Sequence, residues 1–268
     1  MTNDYLTVSL VQYAPCKNDT ERNLSRLDEM IRPLAGKTDL IVLPEMFPTG
    51  FVMNTGHIAD TTGSYPSELF RMQGMAKAAG ATIAGSMAVF ADGLFRNRFY
   101  WVDPEGRVGH YDKHHLFTMS GEPLHFSPGT ERKRFNVNGW EIMPIVCYDL
   151  RFPCWCRNTR NNPYDLLICS ASWPAVRNDV WLTLMKARAL ENQSYVAGVN
   201  RVGLDENNMP HRGDSSVYGP KGEVIGKLRE NEEDVASFRL SLPELHKFRE
   251  KFPVLDDMDD VDILPQKQ

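Results

Sequence analysis

The strongest constraint on this chain is a repeat. The run "TDLIVLPEMF" (38–47) returns as "YDLLICSASW" (164–173), and "TIAGSMAVF" (82–90) returns as "SYVAGVNRVG" (194–203). The hairpin "NRFYWVDPEGRVGHY" (97–111) returns as "SSVYGPKGEVIGKL" (215–228), with the same Pro-x-Gly turn. Two copies in the same order argue for one duplicated unit rather than two unrelated domains. The unbroken apolar core Leu40 to Leu43 suits a strand covered on both faces. A sheet with helices on one side still has a bare apolar face, and two such sheets can cover each other. The expected architecture is therefore α/β, a four-layer αββα sandwich with an internal pseudo-twofold duplication, formed by residues 1–268 as a single domain.

Local patterns fill in the layers. Leu6, Val8 and Leu10 alternate with Thr7 and Ser9 as in a strand. "NDTERNLSRLDEMI" (18–31) then reads as a helix capped by Asn18 or Asp19, with Leu24, Leu27, Met30 and Ile31 at helical spacing. Ser67 to Ala79 predicts a second helix closed by Gly80, and "EIMPIVCYDL" (141–150) another strand. Asp179 to Glu191 is amphipathic, with Val180, Leu184, Ala187 and Leu190 on one face. The acidic tail, "FREKFPVLDDMDDVDILPQKQ" (248–268) and above all its part from about residue 250, shows no core pattern and is expected to be extended.

Charge and cysteine usage narrow the function classes. The net charge is −5 with acids and bases interspersed, so no positive stripe could track phosphates, and the short "ERKR" (131–134) reads as a solvated loop. Nucleic acid is not an expected partner. The N-terminus has no basic segment ahead of its short apolar run, which predicts a cytoplasmic protein without membrane contact. Five cysteines without framework spacing fit a reducing compartment.

Three of those cysteines crowd into "PIVCYDLRFPCWC" (144–156). The Cys154-x-Cys156 pair suits neither disulfide geometry nor the usual zinc spacing, and His114, His115 and His125 form no H-E-x-x-H pattern. Neither a metal nor another cofactor is expected. Cys147 is different: it ends the apolar strand "IMPIV" before a polar turn, where open α/β sheets place their sites. Glu45 follows "DLIVLP" in the same way, and Lys113 follows the hairpin strand "RVGHYD". A thiol needs a base to attack a carbonyl, and Glu45 is placed to supply one. Lys113, together with the backbone N–H of Tyr148, could stabilise an oxyanion. Cys16, Cys154, Cys156 and Cys169 read as packing residues; a redox pairing of Cys147 lacks C-x-x-C spacing.

"LPEMF" with Glu45, "YDKHHLF" with Lys113 and "VCYDLRFP" with Cys147 resemble the three signatures of the nitrilase superfamily of carbon-nitrogen hydrolases. The resemblance implies a Glu-Lys-Cys triad, a nitrilase-like sandwich, and assembly into a homodimer or larger homo-oligomer. It also implies that Glu122 in "GEPLHFSPG" is the family's second glutamate, positioning substrate or triad.

Within the superfamily, "VCYDLRFPCWCRN", "SWPAVRNDVW" and "ARALENQSYVAGVNRVG" look most like the omega-amidase branch. That implies water-dependent hydrolysis of the terminal amide of a 2-oxo acid monoamide, 2-oxoglutaramate or 2-oxosuccinamate; hydrolysis of an N-carbamoyl amino acid or another aliphatic amide is the alternative. Tyr148-Asp149 stands where true nitrilases show Trp-Glu, favouring amides over nitriles. A substrate carboxylate needs a cationic partner, for which Arg177 is the first candidate and Arg151 the second, with Trp173 as an apolar wall.

Overall fold

The computed structural model describes residues 2–53, 55–57, 66–259 and 261. The first half supplies β1 (Tyr5–Gln12), β2 (Leu40–Val42), β3 (Thr82–Ala91), β4 (Leu94–Val102), β5 (Val108–Asp112) and, as its last strand, β6 (Phe135–Val137). The second supplies β7 (Trp140–Val146), β8 (Leu166–Ala171), β9 (Tyr195–Asn200), β10 (Val202–Leu204), β11 (Pro210–Arg212), β12 (Ser216–Tyr218), β13 (Val224–Lys227) and β14 (Asp234–Ser241). They form two six-stranded sheets, ordered β14-β1-β2-β3-β4-β5 and β6-β7-β8-β9-β12-β13, while β10 and β11 make a separate two-stranded arm.

The sheets correspond strand for strand, which is the duplication in three dimensions. β1, β2 and β3 run parallel, as do β7, β8 and β9, and each trio is followed by an antiparallel pair. The opposite edges are exchanged. β6 ends the first half in sequence yet pairs antiparallel with β7, and β14 ends the second half yet pairs antiparallel with β1 over eight residues, Tyr5↔Ser241 to Gln12↔Asp234.

The helices are α1 (Thr20–Ile31), α2 (Ser67–Ala79), the one-turn α3 (Pro153–Cys156), α4 (Asn178–Asn192) and α5 (Leu242–Lys251). Asp19 caps α1 by accepting from the Arg22 N–H, and Gly80 closes α2 in the left-handed region. Leu24, Leu27 and Ile31 of α1 and Leu69, Met72 and Met75 of α2 pack on Ile41, Leu43 and Ile83 of the first half. A second core joins the inner faces, with Leu6, Val8, Leu10 and Val42 against residues of β7, β8 and β9, and Ser170 Oγ donates across the gap to the Leu43 carbonyl at 2.7 Å. The layers are α, β, β, α. Among the described residues, no helix is long and apolar enough to cross a membrane.

Three expectations need correction. The buried residues of α4 are Asn178, Trp181, Met185, Arg188, Ala189 and Asn192, whereas Val180, Leu184 and Ala187 are half-buried and Leu190 is 46% exposed. Apolar residues surround this helix, so hydrophobicity alone does not choose its face. Trp181 and Met185 fill the space above Gly198, and Arg188 finds the Leu150 carbonyl at 2.6 Å. The tail is not simply extended: Phe248 to Lys251 finish α5, and Leu255 and Met258 are buried. Residues 260 and 262–268, the end of the expected tail, lie outside the described residues. Finally, Arg132 and Arg134 are half-buried and donate to the carbonyls of Arg157 and Asn162, clamping a neighbouring loop.

Candidate active site

The three strand-end residues meet at one end of the sandwich. Cys147 leaves β7 with φ of +45°, in the left-handed region that side chains rarely adopt, so the thiol stands on a sharp turn. Asp149 pins that turn: its carboxylate accepts from the Val146 N–H at 3.1 Å, the Tyr111 hydroxyl at 2.7 Å and the His115 N–H at 2.8 Å. Glu45 is held across the sheet gap, its N–H donating to the Ala171 carbonyl at 3.4 Å. The Lys113 N–H bonds the Asn97 carbonyl on β4 at 3.0 Å, which fixes where its side chain begins.

Lys113 Nζ lies 2.8 Å from Glu45 Oε1 and 3.0 and 2.8 Å from the two oxygens of Glu122. All three side chains are shielded from water. An ammonium has three protons, and here three oxygens take them. Glu122 is itself anchored by the Phe117 N–H at 2.6 Å and stands behind Lys113 rather than at the cavity wall. Glu45 Oε2 accepts from the Ser172 N–H at 3.0 Å, and the Cys147 thiol, close enough to influence Glu45, donates to the Ser172 carbonyl at 3.8 Å.

Burial governs the proton affinities. Glu45 is raised above the usual carboxylate range by desolvation, partly countered by Lys113 and reinforced by Glu122. Cys147 is pushed well up by burial and by Glu45, against the pull of Lys113. Burial would lower Lys113, but Glu122 and Glu45 overcome it and hold the amine charged. Cys147 thus rests as a thiol with an unusually basic carboxylate beside it, an arrangement suited to proton transfer.

A cavity of about 240 Å³ opens over Cys147, lined also by Glu45, Lys113, Phe117, Ser172, Arg177 and His211. A smaller recess beside it is lined by Cys147, Tyr148, Arg151, Trp173 and Arg177. The Arg151 guanidinium lies 4.9 Å over the Trp173 ring and that of Arg177 5.3 Å over Phe117; neither forms an ion pair among the described residues. Tyr148, Trp173 and Arg177 therefore come together with Cys147 as expected. Of the other cysteines, Cys154 is exposed, Cys156 is buried with its thiol 3.4 Å from the Asp149 carbonyl, and Cys169 is buried on β8 beside the Cys147 turn.

Asn97, Ser172 and His211 escaped the sequence reading. Asn97 Nδ2 donates to Glu45 Oε1 at 2.8 Å and to Glu122 Oε1 at 3.0 Å from within β4, where an asparagine amid "FRNRFY" looks like any polar strand residue. Ser172 carried a signal, since it stands in the second repeat next to the counterpart of the "LPE" segment. His211 carried none.

The carbon-nitrogen hydrolase family model matches residues 7–250. The chain is 42% identical to the omega-amidase YafV of Escherichia coli K12, over 95% of this chain and 97% of that one. It is 34% identical to a 2-oxoglutaramate amidase of Bacillus subtilis 168, over 94% and 97%. Among solved structures, XC1258 from Xanthomonas campestris, a CN-hydrolase superfamily protein with an arsenic adduct in its active site, superposes with a TM-score of 0.93 at 36% identity, covering 97% of this chain and 99% of that one. Saccharomyces cerevisiae Nit3, of branch 10 of the nitrilase superfamily, shares the fold with a TM-score of 0.85 at 21% identity over 94% and 96%.

Proposed function

This chain belongs to the carbon-nitrogen hydrolase family and acts on linear amides, and from that premise we propose that it cleaves the terminal amide of a small 2-oxo dicarboxylic acid monoamide, 2-oxoglutaramate or 2-oxosuccinamate, through a thioester on Cys147. Glu45 takes the thiol proton as sulfur adds to the amide carbon, then returns it to the departing ammonia. Water, deprotonated by the same carboxylate, attacks the thioester and releases the acid, and Glu45 passes that proton to the departing Cys147 sulfur. Lys113 and the Tyr148 N–H steady the oxyanion. Because the Lys113 protons are already engaged, it must loosen one of its two contacts with Glu122 as negative charge builds on the substrate.

The observation that carries this reading is the buried Glu45–Lys113–Glu122 cluster against a thiol on a strained turn. The substrate class is supported by the two guanidiniums lining the recess beside Cys147, free of ion pairs among the described residues, and by the activities for which the relatives are named. Arg177 lines both the cavity and the recess, so it is the first choice for the substrate carboxylate, with Trp173 and Arg151 walling the recess. The proposal extends to a cytoplasmic homodimer or larger assembly of single-domain subunits, which light scattering would test for size. Ammonia release should be measured across 2-oxoglutaramate, 2-oxosuccinamate, glutamine, N-carbamoyl amino acids and simple nitriles. Highest kcat/KM on the two oxo acids is the expected result; a preference for N-carbamoyl compounds would overturn the substrate assignment.

A further inference from the structure

The two halves differ most between their third and fourth strands. In the first, Asp92 and Gly93 join β3 to β4 directly; in the second, the β10–β11 arm is inserted between β9 and β12. Its inner residue, His211, pairs with Gly203 and reaches the cavity over Cys147, with the ring almost wholly buried. His211 Nδ1 lies 3.0 Å from the Met209 carbonyl. A carbonyl only accepts, so Nδ1 carries a proton. Burial and the nearby Arg201 hold the imidazole down to about 4, against the weaker pull of the Met209 carbonyl, Asp205 and the Ser172 backbone; the ring is therefore neutral near pH 7, and with Nδ1 protonated Nε2 is the acceptor.

Nε2 is 3.4 Å from Ser172 Oγ, and in that pair the hydroxyl alone has a proton to give. The backbone of Ser172 touches both the base and the nucleophile, through its N–H to Glu45 Oε2 and its carbonyl facing the Cys147 thiol. Ser172 lines both the cavity and the recess beside Cys147, so with its proton turned toward His211 the hydroxyl has lone pairs left to offer there. A primary carboxamide brings two N–H donors to that place; an ester or a nitrile brings none.

The geometry points to Ser172 Oγ as the acceptor for an N–H of the substrate carboxamide, with His211 as a positioning residue that orients the hydroxyl. The pair thereby selects amides over esters and nitriles of the same acyl group. This inference rests on the reading that Cys147 attacks a carboxamide carbon.

The test separates the two. The Cys147→Ala protein is titrated calorimetrically with succinamate and with monomethyl succinate, which share a carboxylate and differ in the N–H donors. Adding Ser172→Ala should narrow the amide-over-ester preference by roughly 3- to 10-fold, the worth of one neutral hydrogen bond. His211→Phe should narrow it likewise, and His211→Gln, whose side-chain oxygen can accept the hydroxyl proton, should restore most of it. The same ordering is expected in the ratio of amide to ester turnover with Cys147 intact. A preference unchanged by Ser172→Ala, or equal loss on both compounds, overturns the subsite. Amide turnover retained by Cys147→Ala would instead overturn the proposed mechanism, while the binding ratio still decides the role of Ser172.

Discussion

Lys113 and Asn97 donate to the same two oxygens: each reaches Glu45 Oε1 at 2.8 Å and Glu122 Oε1 at 3.0 Å. One cation and one neutral amide thus bridge two buried carboxylates that would otherwise repel each other. Glu45 Oε1 thus takes both of these donors, while Oε2 accepts from the Ser172 N–H.

Asn97 therefore bears on the acid limb of the pH profile. Glu45 must be ionised to accept a proton, and its affinity is already raised by burial, so wild-type kcat/KM should fall on acidification at a pH above that of an ordinary glutamate. Asn97→Leu removes a donor that favours the charged form and should move the limb up by about one further unit. On the basic side Lys113 is held charged, so its deprotonation should produce no decline. An acid limb unmoved in Asn97→Leu would show that the amide serves packing alone.

Glu45→Gln should lower kcat by about 10²–10⁴, the range of a general base. Lys113→Met should be inactive as well, and it leaves two carboxylates buried without their cation, an imbalance worth about 3–5 kcal/mol of stability. Thermal melting beside the kinetics separates the two effects. Near-normal turnover in either variant would overturn the assigned role.

Cys147→Ala should abolish turnover with little change in melting temperature, because the residue is small. Cys154→Ala and Cys156→Ala should retain most activity. Exposed Cys154 will compete for alkylating reagents, so labelling is best read in a Cys154→Ala background, where substrate should protect Cys147.

Arg177→Ala should raise KM for 2-oxoglutaramate far more than for an uncharged short amide, by a ratio corresponding to about 1.5–3 kcal/mol. Arg151→Ala, whose guanidinium is packed on Trp173, should have the smaller selective effect. Equal losses on both substrates would make Arg177 a support for Phe117 and the cavity wall.

The repeat made the two-sheet architecture legible because strand patterning and order are local properties of the sequence. Cys147 and Lys113 were legible for the same reason, as each directly follows a strand, with Glu45 three residues past β2. Asn97 was not, since its role depends on two carboxylates 25 and 52 residues away. His211 matters through an inserted arm whose docking no periodicity announces. The face of α4 was misread because Arg188 and Asn192 are buried by partners supplied from elsewhere in the chain, including the Leu150 carbonyl and the Asn158 N–H.

The exchanged edges make the two halves mutual hostages. Each sheet is finished by the last strand of the other half, so neither half, synthesised alone, can close its own edge. Synthesis must pass β14 before β1 receives its eight-residue partner, and until then that edge is an open template for the β14 of any neighbouring chain. Swapped dimers formed through β14, rather than separated halves, are the misassembly this topology invites.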